Sequence, residues 1–533
     1  MDNAHLADRL DSFATLLELA DANPYSARAY RRAAETVRGA PVPVAELVRA
    51  GRVRRLRGIG GSIEAKLREL VETGEIAELT ELERELAPGM VGLGRYLGLG
   101  AKRSIEVARA LGVHTADELR EAAAAGRLRD VPGIGPNTEA QLLAALAEGP
   151  ERAPRGIGFA RARELVDAIA AALDGEPAGD VRRWHDAPAR LTVVCAAADP
   201  APVLARFAAL PQVVAMLESG ERRAVGVTVE GVPVEVLAVA PQQLGPEPLR
   251  ATGSPAYVAA LEPLPDAVDE PGVYAALGLL ACPPELREAP FRGPAPPLVE
   301  VADIRGDLHC HTTWSDGRAS VEEMGRAALA RGYEYIAICD HTPAVGAVRG
   351  LTADDVRRQG EEIAAANAAL APFRVLRGIE CDILPDGRLD LPDDVLAELD
   401  WVQASVHGGQ RMPRLEMTAR VEAALRNPHV RCLSHPTGRL IGRRPENAVD
   451  LERVYAVALE EGVALEVNGL PDRLDLSGAH VREAIAAGVP IVCSTDAHSV
   501  RGLGNMANAV HTARRGGATA ADVLNTRSAG GLP

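Results

Sequence analysis

Lysine is almost missing from this chain. Of its 58 basic residues only Lys66 and Lys102 are lysines, the rest being arginine. The bias is compositional, and it makes each remaining lysine a position worth explaining. Long apolar runs are missing too: none approaches the ~18–20 residues that span a bilayer, which excludes a helical membrane protein. The seven cysteines (Cys195, Cys282, Cys310, Cys339, Cys381, Cys432, Cys493) include no Cys-x-x-Cys pair. Reduced thiols are therefore expected rather than a disulfide framework. The opening segment MDNAHLADRLDSF is acidic where a secretory signal is basic and then apolar, so the expected address is the cytoplasm. Positive charge is also in deficit. A net charge of −16 argues against indiscriminate coating of nucleic acid while leaving room for a local basic face.

What is present reads as ordinary globular material, 47% hydrophobic and 25% charged over 533 residues, enough for three or four domains. Residues 1–150 read as short helices broken by glycine turns. In LADRLDSFATLLELA the residues Leu6, Leu10, Phe13 and Leu17 share one stripe. Three Gly-x-Gly turns recur, Gly58-Ile59-Gly60, Gly98-Leu99-Gly100 and Gly133-Ile134-Gly135, opening helices at Ser62, Ala101 and Pro136. Between about 180 and 245 the pattern becomes α+β. Strands are expected over Leu191–Cys195, Ala224–Val229 and Val232–Val239, with a helix from Pro200 to Leu210. A proline-rich stretch at 281–300 reads as a linker. From Asp307 onward, short apolar strands alternate with alanine-rich helices, the rhythm of a parallel, barrel-like βα architecture.

Almost every strand of that second half ends in a residue that binds metals. They are His309, His311 and Asp316 in DLHCHTTWSDG, His341 in ICDHTP and Glu380 in GIECD. His407 follows in ASVHGG, His435 in SHPTGR, and Asp496 and His498 in STDAH. Strand C-termini of a βα barrel converge on one mouth, and residues two apart on a strand share a face. Nine nitrogen and oxygen donors exceed what one ion uses. Six imidazoles and three carboxylates suit two or three divalent ions of the Mn, Zn or Fe type, one carboxylate bridging. Such centres hydrolyse phosphoesters. The other histidines, His5, His114, His185, His429, His480 and His511, read as structural or surface residues.

These motifs, with LEVN at 465–468, resemble the PHP (polymerase and histidinol phosphatase) superfamily over about 301–533. The resemblance implies a distorted (β/α)7 barrel with a trinuclear centre. It gives His309, His311, Glu380 and Asp496 to one ion, Glu380, His407 and His435 to a second, and Asp316, His341 and His498 to a third. Arg439, four residues after His435, is a candidate phosphate clamp, because a guanidinium matches phosphate oxygens in bidentate fashion.

The N-terminal turn LRGIGGSIEAKLREL resembles a helix-hairpin-helix, in which backbone N–H groups at a helix start meet a DNA phosphate. Candidate DNA contacts are the six hairpin glycines together with Arg54, Arg55 and Lys102; Arg52 and Arg57 add to the basic face. With GLGAKRSIEVARALGV, VPGIGPNTEAQLLAAL and the Pro-Tyr segment at 24–30, the region resembles the lyase and fingers segments of family X DNA polymerases. The resemblance runs on through EPGVYAALGLLACPPELRE to bacterial members with a C-terminal PHP domain. It implies a lyase-like helical domain at 1–85, a fingers-like hairpin domain at 86–154 and an α+β nucleotidyltransferase palm like that of polymerase beta at 155–245. A thumb-like segment and linker at 246–300 and the PHP domain at 301–533 complete it. Lys66 falls at the family's Schiff-base lysine.

The palm departs from the family pattern. Where the family has Gly-Ser-x-Arg-Arg-Gly and then Asp-x-Asp, this chain reads GDVRRWHDAPARLTVVC, with Asp180 and Trp184 as substitutions and Arg190 and Thr192 at the two Asp positions. Only Glu235 keeps a carboxylate at the third metal position. A fixed positive charge repels the divalent ion this chemistry needs. The expectation is a phosphoesterase working on gapped, nicked or 3′-ended DNA (3′–5′ exonuclease, 3′-phosphatase or abasic-site endonuclease) with an inactive polymerase palm. The alternatives are an active gap-filling polymerase with exonuclease, a histidinol-phosphate-type small-molecule phosphatase, and a non-catalytic DNA scaffold. Oligomeric state is not readable from the sequence.

Overall fold

The three Gly-x-Gly turns share one backbone shape. The computed structural model describes residues 2–19, 24–40, 42–56, 58–86, 88–151, 156–291 and 293–533. In each turn the first glycine is left-handed (Gly58 φ +85°, Gly98 φ +91°, Gly133 φ +76°), a region that L side chains rarely enter. The second, Gly60, Gly100 or Gly135, is extended and caps the helix that follows: Gly61–Thr73, Ala101–Leu111 and Pro136–Glu148. Leu6, Leu10, Phe13 and Leu17 are all buried, and Phe13 packs edge-on against Tyr30 with ring centroids 4.8 Å apart.

The chain forms two compact units. One comprises Met1–Ile157, Glu164–Pro177 and Ala189–Pro241; the other comprises Gly158–Arg163, Ala178–Pro188 and Gln242–Pro533. A five-stranded sheet holds β1 (Glu176–Ala178), β2 (Leu191–Ala196), β3 (Ala215–Ser219), β4 (Arg223–Val227) and β5 (Pro233–Val239) in the order β1-β2-β5-β4-β3. β2 runs parallel to β5, whereas β4 is antiparallel to both β3 and β5. The strand expected over Ala224–Val229 stops at Val227. There the chain reverses, with Thr228 N–H bonded to the Val232 carbonyl and Gly231 left-handed. The helix expected from Pro200 covers Ala201–Ala208. β1 and β3 are too short or too weakly alternating to be read from sequence.

In the second unit seven strands follow one another in sequence order, every neighbouring pair parallel. They are β6 (Gly306–Cys310), β7 (Tyr335–Ile338), β8 (Arg374–Asp382), β9 (Trp401–Ser405), β10 (Cys432–Leu433), β11 (Ala464–Asn468) and β12 (Ile491–Ser494). Crossover helices such as Val321–Ala330, Ala353–Leu370 and Leu451–Glu461 bury the outer faces, so the strands are apolar on both sides. The sheet closes nearly into a barrel. At the C-terminal end of β6, His311 N–H donates to the Ala497 carbonyl (2.9 Å), bridging to the segment after β12. At the other end Asn525 spans the seam: its Nδ2 donates to the carbonyls of Gly306 and Cys493, and Cys493 N–H donates back to Oδ1.

Candidate metal centre

Because all seven strands run the same way, their C-termini open at one end. β6 delivers His309 and, just past its end, His311; β8 delivers Glu380. The loops after β6, β7, β9, β10 and β12 bring Asp316, His341, His407, His435, Asp496 and His498. Seven of the nine residues line a cavity of about 650 Å³, with His309 and His311 fully buried behind them.

Glu380 is the hub. Its Oε2 is 3.5 Å from His309 Nε2 and 3.8 Å from His311 Nε2, and Asp496 Oδ1 is 3.1 Å from His311 Nε2, making one group of four donors. Its Oε1 is 3.4 Å from His407 Nε2 and 2.8 Å from His435 Nε2, making a second group. Asp316 Oδ2, 3.7 Å from His341 Nε2 and 3.2 Å from His498 Nε2, anchors a third. Donors ~2.0–2.2 Å from a shared ion sit ~3–4 Å from each other, so the spacing fits divalent ions. The same atoms also group as His311, Asp316, His341 and His498, as His309, His311 and Asp496, and as His341, Glu380 and His407.

The close packing of carboxylates and imidazoles shifts their titration in both directions. Burial opposes charge on Glu380 and Asp496, yet the surrounding imidazoles hold both carboxyls well below the usual range. Burial likewise opposes charge on His341, but Glu380 and Asp316 raise it to about 10. His311 goes the other way, to about 4, through burial and its neighbours His341 and His498. The ionised carboxylates and the imidazoles thus offset one another's charge in a site where burial alone would disfavour both.

Several supporting residues were missed from sequence. Glu466 on β11 accepts from His309 Nδ1 (2.6 Å), His435 N–H (2.6 Å), Ser434 Oγ (2.9 Å) and Ser494 Oγ. Asp382 accepts from His407 Nδ1 (3.3 Å). Ligand histidines generally donate their second nitrogen to such a carboxylate, which fixes the tautomer. Glu466 lies in the LEVN stretch, where an acidic residue inside an apolar strand was the available signal. His435 (φ +28°) and Asp496 (φ +51°) adopt left-handed backbone without being glycine, strain of the kind found at functional sites.

The guanidinium at the cavity is not Arg439's. Arg439 donates from Nε to the Arg473 carbonyl (3.0 Å) and from Nη2 to the Leu474 carbonyl, and its Nη1 lies 2.7 Å from Asp186. With its donors so engaged it does not line the cavity; Arg473 does, with Nε 3.7 Å from Asp496 and a buried Nη1 lacking a hydrogen-bond partner.

Residues 307–468 match the PHP domain family, and residues 1–76 match the Helix-hairpin-helix domain family. Over 97% of its length the chain is 34% identical to the "DNA polymerase/3′-5′ exonuclease PolX" of Bacillus subtilis, covering 96% of that protein. The chain belongs to the bacterial family X DNA polymerases bearing a PHP domain. Its C-terminal part alone is also similar to proteins named probable phosphatases. One from Acetivibrio thermocellus is 33% identical over 36% of this chain and 78% of its own length; one from Thermoanaerobacter is 29% identical over 41% and 89%.

In this family X chain the positions where the resemblance placed the transferase carboxylates are engaged in ion pairs. Glu235 Oε1 lies 2.5 Å from Arg223 Nε and 3.8 Å from Arg190 Nη1, while Thr192 is buried directly opposite Glu235 in the β2–β5 register. Arg182 pairs with Glu270, and Arg183 with Asp180 (2.5 Å) and Glu288 (3.4 Å). Trp184 has a left-handed backbone (φ +58°) and stacks on His511 at 3.8 Å. Lys66 pairs with Glu78 (3.0 Å) and Glu69 (3.4 Å); burial opposes its charge, but these carboxylates raise its pKa. A Schiff-base lysine needs the opposite shift. Arg54, Arg55 and Lys102 are exposed, and Arg57 lies outside the described residues.

Proposed function

We propose that the barrel of this PHP-bearing family X chain is a metal-dependent phosphoesterase that trims or cleans DNA 3′ ends, as a 3′–5′ exonuclease, 3′-phosphatase or abasic-site endonuclease. The observation behind this reading is Glu380, whose two oxygens face two different donor groups. Two or three divalent ions bound there, of the Mn, Zn or Fe type, would activate water and neutralise the phosphate. The chain's own residues do the rest. The nine donors would hold the ions, Glu466 and Asp382 orient the imidazoles, and Arg473 offers the unpartnered N–H that a phosphoryl oxygen would take. Asp316 and His498, 25% and 33% exposed, form the open rim through which substrate enters. The cavity volume falls within the ~300–1,000 Å³ that hold one small ligand, which favours a strand end over a duplex face.

DNA binding at gaps, nicks or ends is assigned to the three hairpins. At Gly58, Gly60, Gly98, Gly100 and Gly135 an added Cβ would meet nothing within 4 Å of the chain itself. The open space at the extended second glycines suits close approach by an external phosphate backbone to the helix N-termini. The five-part division at 85, 154, 245 and 300 and a cytoplasmic address go with this reading; the junction at 154–155 lies outside the described residues.

Nucleotidyl transfer is proposed to be lost, because Glu235 faces two arginines where two ions would have to bind. A second reading, small-molecule phosphatase, is favoured by the names of the relatives that match the barrel alone. The deciding experiment compares the natural chain with His309→Ala, supplied with Mn²⁺, on 3′-labelled single-stranded DNA, histidinol phosphate and a primed template with deoxynucleotides. Loss of DNA cleavage in the variant and no primer extension by either protein are expected. Equal cleavage by both proteins overturns the nuclease reading. Hydrolysis of histidinol phosphate alone favours the second.

A further inference from the structure

The residues after the Arg182–Arg183 turn pair with the barrel's arginines. They fall in the same compact unit as the barrel. Asp186 Oδ2 lies 2.7 Å from Arg439 Nη1, and Arg515 Nη1 approaches its other oxygen at 3.8 Å. The remaining edge of the Arg439 fork grips the carbonyls of Arg473 and Leu474. Leu474 is itself left-handed (φ +44°), and its turn is further tied by Leu470, whose carbonyl accepts from Arg473 N–H (2.8 Å) and Leu474 N–H (3.0 Å). Arg473 supplies the one guanidinium that lines the metal cavity among the described residues. A planar guanidinium bound on both edges cannot rotate without breaking charge-assisted hydrogen bonds.

We propose that Asp186 is a positioning residue for the phosphoesterase cavity, acting through Arg439 to fix the turn that presents Arg473 to a phosphate. The proposal rests on the phosphoesterase reading of that cavity. The segment after the Arg182–Arg183 turn thereby holds a phosphate-recognising arginine at the barrel cavity. Asp186 touches no metal donor and no substrate, so its removal should alter phosphate affinity and leave the ions in place.

The test uses the full chain with Mn²⁺ and four variants: Asp186→Asn, Asp186→Glu, Arg473→Ala, and Asp186→Asn combined with Arg473→Ala. Asp186→Asn should raise KM for 3′-labelled DNA and the inhibition constant of inorganic phosphate by about tenfold, the worth of one charge-assisted hydrogen bond. The drop in kcat should be smaller, bound Mn²⁺ should be unchanged, and Asp186→Glu should restore most of the loss. On the Arg473→Ala background the Asn change should add nothing. In metal-free protein, amide hydrogen exchange at 470–475 should quicken while that of β6 stays as it was. Equal further loss on the Arg473→Ala background, or unchanged exchange at 470–475, overturns the proposal. A natural chain that hydrolyses no phosphoester would instead remove the reading of the cavity, with the exchange result still deciding the mechanical coupling.

Discussion

Glu466 Oε1 lies 2.6 Å from His309 Nδ1, and both side chains are fully buried beneath the donor groups. The carboxylate turns the other ring nitrogen toward Glu380 and Asp496. Glu466→Gln should therefore weaken metal binding about 10–100-fold, as loss of such an outer partner typically does. Metal titration followed by calorimetry checks this. Unchanged affinity would mean that packing alone sets the His309 ring.

Glu380→Gln replaces one of two carboxylate oxygens that each face a different donor group. Bound metal should fall by at least one ion per chain and the hydrolysis rate about 10²–10⁴-fold, the scale of several kcal/mol of lost charge stabilisation. Elemental analysis beside the rate measurement separates loss of ions from misfolding. His498→Ala, at the exposed rim, should cost less.

Glu285 gives a pH dependence of known sign. Burial opposes its charge, but His511 and Arg514 lower its pKa to about 2. A depressed folded-state value stabilises above the unfolded pKa of ~4.3 and is lost as pH falls toward about 2. Relative to Glu285→Gln, the natural chain should be more stable by on the order of 3 kcal/mol at pH 6. That difference should shrink between about pH 5 and 2, as unfolding curves of the two proteins would show.

Trp184 holds a left-handed backbone at φ +58°. Trp184→Ala and Trp184→Gly both lose the stack on His511, but only alanine keeps the steric cost of that backbone. The glycine variant should be the more stable of the two by about 1 kcal/mol. Thermal unfolding of the pair decides it.

Gly60→Ala, Gly100→Ala and Gly135→Ala meet open space and a negative φ. Each should change stability by less than about 1 kcal/mol, the loss of a good cap offsetting a stiffer unfolded chain. Affinity for gapped DNA should drop nonetheless. Binding as tight as the natural chain's would remove the hairpins from the proposed interface.

The nine residues that meet at the barrel mouth were legible because strand-end position and side-chain type coincide: His309, Glu380 and Asp496 each stand where a parallel strand must open toward the mouth. The repeated glycine pairs announced the three hairpins for the same reason, one residue type meeting one backbone need. What sequence could not supply was partnership. Arg439 and Arg473 are both arginines in loops beside the site, and only the fold shows that the first is held by carbonyls of the second's turn. Glu466 looked like strand material until β11 was seen beside β10 and β12. β1 and β3 were missed because their pairing, not their composition, makes them strands.

The gap between β12 and β6 has an uneven fastening. At its base the Asn525 amide laces the two edges together, and further along Asp307 on β6 accepts from Thr495 N–H and Oγ1 just past β12. At its top the opposing edges are lined by His309 and His311 on one side and Asp496 and His498 on the other. Ions seated there would act as added rivets across a margin otherwise held by few bonds, such as His311 N–H to the Ala497 carbonyl and Thr495 N–H to the Asp307 carboxylate. Chelation should then be felt first as loosening along that margin, in β6 and β12, long before the rest of the wall gives way.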